Sequence, residues 1–158
     1  MIELALATED RTAAQMTALT CVLDAGAVPQ WDTVIRLAAR AAEGYADDSY
    51  IHVAALFRAG RLGEALQGLW SKDKLYAHMV QRRFFEAMLR HQAGRHDEAR
   101  SILEQNVKDV DFMDQAMPRD PKSKIWSDWI DHIQCHVLRN EAEALLRTAG
   151  LRKAPPPG

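Results

Sequence analysis

The chain has 158 residues, 47% of them hydrophobic, 27% charged and 7% aromatic, enough for one domain with a sizeable core. Twenty Lys and Arg against 22 Asp and Glu give a net charge of −2, which excludes the basic excess of a general nucleic-acid or anionic-membrane binder. The two cysteines, Cys21 and Cys135, make neither a disulfide framework nor a paired zinc knuckle, so a reducing compartment is expected.

The amino-terminal stretch MIELALATEDRT carries a very short apolar run with acidic flanks and no basic leader. No later run approaches the ~18 apolar residues of a membrane span. A cytoplasmic protein with no membrane partner is expected. Ala, Leu, Arg, Glu and Gln dominate, and β-branched residues nowhere alternate over the length of a strand, so the chain is predicted to be all-α.

Three helical hairpins are predicted in order, over residues of about 12–45, 46–79 and 80–112. The second and third define the pattern. Ala59-Gly60-Arg61-Leu62-Gly63-Glu64-Ala65-Leu66-Gln67-Gly68-Leu69 aligns without a gap on Ala93-Gly94-Arg95-His96-Asp97-Glu98-Ala99-Arg100-Ser101-Ile102-Leu103, 34 residues further on. One step of 34 in the other direction reaches Gly26, with Ile35 at the place of Leu69 and Leu103. Each shared position has a mechanical reason. Glycine takes the left-handed conformation that closes a helix, and Glu64 and Glu98 suit the positive end of the next helix. Small Ala65 and Ala99 let two helices approach, and Leu69 and Leu103 follow one turn later on the same face. In the first hairpin Pro29 opens the second helix and Trp31 replaces the small residue, so an unusual packing angle is expected there.

After Leu103 the helix is predicted to continue through Gln105-Asn106-Val107-Lys108, until Met117-Pro118-Arg119-Asp120-Pro121 breaks the pattern. A long amphipathic helix follows over about 123–149. Its expected apolar stripe is Ile125, Trp129, Ile133, His136 or Val137, Asn140 and Ala144, with Trp126, Ile130 and Leu138 beside it. No 34-residue motif recurs there, as expected of a helix that caps a solenoid. Residues 151–158, ending in Pro-Pro-Pro-Gly, form a proline-rich tail that cannot be helical. The whole of 1–150 reads as one domain.

The period of 34 and the glycine, small-residue and large-apolar positions resemble tetratricopeptide (TPR) repeats. The strings ALFRAGRLGEAL and MLRHQAGRHDEAR, followed by a Trp-containing helix ending LRNEAEALL, are similar to TPR modules of planctomycete-type bacterial proteins, where such a module accompanies a Ser/Thr kinase or WD-repeat region. The resemblance implies an α-α superhelix of about three hairpins plus a capping helix. It also implies a non-enzymatic adaptor whose concave groove takes a peptide or helix from a partner. Carried over by register, the groove positions are Asp47, Tyr50, Ala54, Phe57 and Arg58 in one hairpin, and Gln81, Phe84, Met88, His91 and Gln92 in the next. Ala54 and Met88 stand where the chaperone-binding subfamily has Asn, which disfavours a carboxylate clamp. Tyr50, Phe57, Arg58, Phe84, Met88 and His91 are the expected partner contacts. The alternative for Tyr50, Phe57, Phe84 and Met88 is that they fill the core between hairpins. Arg58, Arg82, Arg83 and Arg90 form either a positive strip for an acidic peptide or ordinary solvated helix faces.

No Gly-x-Ser-x-Gly elbow, HExxH or phosphate-binding loop is present, so no enzyme and no cofactor is expected. His132, Cys135 and His136 have i, i+3, i+4 spacing and project from nearly one side of the last helix, as soft zinc ligands would. The expected reading is a packed seam without metal, because no second ligand pair accompanies them. A small helical metal- or ligand-binding protein using these three residues is the alternative to the adaptor. Self-association through an uncovered solenoid end is a third possibility.

Overall fold

The computed structural model describes residues 10–24, 26, 28, 30–43, 49–70, 79–116 and 126–150. Pro29, Asp47, the break at 117–121, Ile125 and the tail 151–158 lie outside them, as do the side chains of Trp126, Trp129 and Ile130. Seven helices are present among the described residues: α1 (Arg11–Val22), α2 (Trp31–Ala42), α3 (Ser49–Arg58), α4 (Leu62–Trp70), α5 (Met79–Gln92), α6 (His96–Ala116) and α7 (Trp126–Gly150). No strand occurs among those residues, and the chain is all-α as its composition predicts. No helix among them is long and apolar enough to cross a membrane. The chain divides into two compact units, Met1–Met79 and Val80–Gly158.

In the first unit, α1 starts at Asp10, whose Oδ1 accepts from the backbone N–H groups of Thr12 and Ala13 at 2.8 and 3.3 Å. This satisfies two donors that the helix itself leaves open. Ala14, Thr17, Ala18, Cys21 and Val22 form its buried face, and Val34, Leu37, Ala38 and Ala41 form that of α2. Arg11 Nε donates to the Ala41 carbonyl at 2.9 Å, so α1 and α2 run antiparallel. Arg58 Nε donates to the Val22 carbonyl at 2.8 Å, joining the ends of α1 and α3. Helix α3 packs on α1, α2 and α4, and Tyr50, Ile51 and every residue from Val53 to Phe57 are buried. A helix apolar on all faces is covered on all faces. A Cβ on Gly68 would lie 2.9 Å from Val53 Cγ2, so glycine permits the close approach of α4 to α3.

The second unit is built from α5, α6 and α7. Asn106 Nδ2 donates to the Val80 carbonyl at 2.9 Å, and Arg83 Nη1 meets Asp109 Oδ2 at 2.9 Å. With Arg90 bonded to Glu98 near the turn, these contacts set α5 and α6 antiparallel. Ala99, Leu103, Asn106 and Val110 form one buried stripe on α6, at the i, i+4, i+7, i+11 spacing of a helix face. Arg139 Nη1 reaches Asp111 Oδ1 at 2.7 Å and brings α7 back antiparallel to α6. The terminal helix therefore packs on the last hairpin, but with a different face from the expected one. Gln134, Cys135, Leu138 and Ala142 are buried, whereas Ile133, Val137, Asn140 and Ala144 are exposed. The polar contacts of His136 and Arg139 to α6 fix the rotation of α7 and leave the Ile133 and Val137 face outward.

The two hairpin turns repeat in detail. Gly60 and Gly94 have φ of 73° and 79°. The N–H of Gly60 bonds to the Phe57 carbonyl and that of Arg61 to the Leu56 carbonyl; Gly94 and Arg95 bond likewise to His91 and Arg90, all at 2.8–3.0 Å. These are Schellman caps, which satisfy carbonyls at a helix end. The carbonyls of Arg61 and Arg95 then accept the first bonds of the next helices, from Ala65 and Ala99. Their side chains grip the carboxylates three residues on, with Arg61 Nε 2.6 Å from Glu64 Oε1 and Arg95 Nε 2.8 Å from Glu98 Oε1. The shared Ala-Gly-Arg-x-x-Glu-Ala string encodes this turn. The first hairpin lacks it: α1 ends at Val22 and α2 starts only at Trp31, and the Gly26 N–H bonds to Asp24 Oδ1 at 2.8 Å.

Candidate functional site

Five of the six side chains that the repeat register marks as partner contacts are interior. Tyr50 and Phe57 are buried in the first unit, and Phe84, Met88 and His91 in the second. Their positions on one face of α3 and α5 do not leave that face open, because both helices are packed around most of their circumference. Arg58 is half-buried; its guanidinium lies 5.7 Å from the centroid of the Phe57 ring, and its Nε is held by the Val22 carbonyl.

Two further members of the predicted arginine strip have carboxylate partners. Arg90 is buried, with Nε and Nη2 donating to Glu86 Oε1 at 3.0 and 2.7 Å and Nη1 donating to Glu98 Oε2. Arg83 is paired with Asp109. The hydrogen bond from Arg61 holds the Glu64 carboxyl below the ordinary carboxylate range, and Arg95, followed by Arg90, does the same for Glu98. A strip of uncompensated positive charge does not result, since Arg83 and Arg90 spend their charge within the hairpin.

The His132, Cys135, His136 group separates. Cys135 turns into the core at 1% exposure, and burial, helped by the charges of Asp131 and Asp114, pushes its thiol up to about 12. The two histidines meet instead at the α6 surface. His132 Nε2 lies 3.0 Å and His136 Nε2 3.1 Å from Asp114 Oδ1, and the two ring nitrogens are 3.2 Å apart. Their rings stand edge to face with centroids 4.6 Å apart. The side chain of His132 is 15% exposed, Asp114 35% and His136 39%, so one side of the cluster opens to solvent. Sequence spacing shows the histidine pair on one helix face, but it contains no signal for Asp114, which belongs to the preceding helix.

A second histidine pair flanks the Gly94 turn. His91 Nδ1 and His96 Nδ1 are 3.2 Å apart, and burial, followed by the charge of His96, pushes the His91 imidazole down. It has two nitrogen donors and no carboxylate in the group. Asp114, His132 and His136 are thus the group among the described residues with the donor set of a metal site. At the level of class, the chain is an all-helical protein with recurring hairpin turns and a His-His-Asp cluster. Comparison with protein families, with curated proteins and with solved structures returns no match.

Proposed function

We propose that the chain is a TPR-like helical-repeat scaffold of the cytoplasm that binds a protein or peptide partner and performs no chemistry of its own. The observation that supports this reading is the recurrence, 34 residues apart, of one hairpin turn in both sequence and hydrogen bonding: a Schellman glycine, then an Arg-Glu clasp that opens the next helix. The antiparallel α1 and α2, with α3 returning beside the end of α1, add the order expected of successive hairpins. Such a design specifies a surface by stacking and leaves its use to side chains outside the core. In this reading Tyr50, Phe57, Phe84, Met88 and His91 shape the helices from within, and Arg58 is the register-assigned residue with part of its side chain outside.

The test is capture on the immobilised full chain from a lysate of the source organism, followed by titration with the recovered polypeptide in purified form. A saturable complex with one polypeptide per chain is the expected result. Recovery of nothing that binds saturably in purified form would overturn the reading.

A further inference from the structure

The mutual distances in the α6–α7 cluster are those of a coordination face. Three ligands placed tetrahedrally at about 2.0–2.1 Å from Zn²⁺ are separated from one another by about 3.3 Å. The donor atoms here are separated by 3.0, 3.1 and 3.2 Å, so an ion seated slightly farther out of their plane than in an ideal tetrahedron reaches all three. Hydrogen bonding satisfies the cluster less well. If both imidazoles donate through Nε2 to Asp114 Oδ1, two N–H groups are brought to 3.2 Å of each other; if one does not donate, a ring nitrogen lone pair faces the carboxylate. A divalent cation removes that conflict, because it accepts all three lone pairs at once. Two imidazoles and one carboxylate are ligands suited to first-row divalent ions.

We propose that Asp114 on α6 and His132 and His136 on α7 form a three-ligand site for a divalent first-row transition ion, Zn²⁺ by ligand preference, that clamps α6 to α7. The ligands come from two helices whose connection spans residues 117–125, so the ion closes a loop between elements that Arg139 and Asp111 also join. His132 and His136 are one helical turn apart, the i, i+4 spacing that puts two rings over one point. Cys135 between them is not a ligand, because its side chain is buried in the core while the two imidazoles meet Asp114 at the surface. The exposed flank of His136 and Asp114 supplies an entry path and leaves the fourth position to water or to a side chain of a partner. This site does not depend on the scaffold reading.

The test is calorimetric titration of the full chain, purified without an affinity tag and freed of metal by chelation, with Zn²⁺ as the probe. One Zn²⁺ per chain is expected, together with a rise of about 5 °C in unfolding temperature when free Zn²⁺ greatly exceeds its dissociation constant. Loss of an outer-shell partner of a metal commonly costs ~10–100-fold in affinity, so His136→Ala and Asp114→Ala, both at partly exposed positions, should each weaken binding by at least about tenfold. Cys135→Ala should leave the affinity unchanged, and so should His96→Ala, which removes half of the other histidine pair. Co²⁺ substitution should show ligand-field bands without thiolate charge transfer. Absence of stoichiometric binding, affinity insensitive to His136→Ala and Asp114→Ala, or a thiolate band abolished by Cys135→Ala would each overturn the proposal.

Discussion

Three glycines of the α3–α4 hairpin should respond to the same substitution in three ways. Gly60 has φ of 73° and open space where a Cβ would be built, so Gly60→Ala meets no steric contact and its cost is that of the backbone. Holding an L-residue in the left-handed region costs about 1–2 kcal/mol, and the smaller unfolded-state entropy of alanine returns about 0.4–1 kcal/mol. The net loss is about 1 kcal/mol. Gly63, three residues later, also has open space but lies in the first turn of α4, where Gly→Ala gains a part of the ~1 kcal/mol of a helix interior. Gly68→Ala places a Cβ 2.9 Å from Val53 Cγ2, and the overpacking cost of about 1–3 kcal/mol outweighs the helix gain. Urea unfolding of the full chain, followed by far-UV circular dichroism, reads these signs. With a slope of ~1–3 kcal/mol/M, a loss of about 1 kcal/mol moves the midpoint down by roughly 0.3–1 M. Gly94→Ala should match Gly60→Ala, since its φ and surroundings are alike. Equal stability of Gly60→Ala and Gly63→Ala would refute the account of the turn.

Phe57→Ala should cost about 3–5 kcal/mol of stability, because the ring is in the core rather than on a groove wall; thermal unfolding close to that of the unsubstituted chain would place the ring outside. Glu64 and Glu98 are held below the ordinary carboxylate range by their arginines. Their contribution is therefore complete above about pH 4.3, the usual glutamate value. It is lost as pH falls through the lower folded values, and the double variant Glu64→Gln, Glu98→Gln should show a flatter acid limb in a stability-versus-pH series. Cys21 and Cys135 are buried with their thiols pushed up by that burial. Both should react slowly with a thiol reagent at neutral pH in the native protein and rapidly in denaturant; fast native modification of Cys135 would contradict its place in the core.

The hairpin turns were legible because their information is local. Ala-Gly-Arg-x-x-Glu-Ala specifies a left-handed residue, a cap and a first-turn carboxylate within seven positions, and the structure gives each of them a bond. What the string does not announce is the part of its arginine, which opens the helix and grips the glutamate. Gly26 shows the limit of reading by period: it falls in register, but four residues beyond the end of α1, in a turn organised by Asp24. Register also marks a face without saying what covers it. Tyr50 and Phe57 occupy groove positions on a helix that α1, α2 and α4 surround. On α7 the hydrophobic stripe misleads, since Cys135 and Gln134 are buried while Ile133 and Val137 are exposed. The rotation is set by polar contacts to α6, and these depend on how two antiparallel helices align. The same alignment brings Asp114 to the two histidines. That triad is a tertiary fact, and only its histidine half is written along one helix.

The scaffold reading meets its most direct test in calorimetric titration of the purified full chain with a purified polypeptide recovered on it. It predicts one saturable binding event per chain. No saturable binding of any recovered polypeptide, with stoichiometric Zn²⁺ uptake in the same preparation, would contradict it and would assign the working role to the metal centre between α6 and α7.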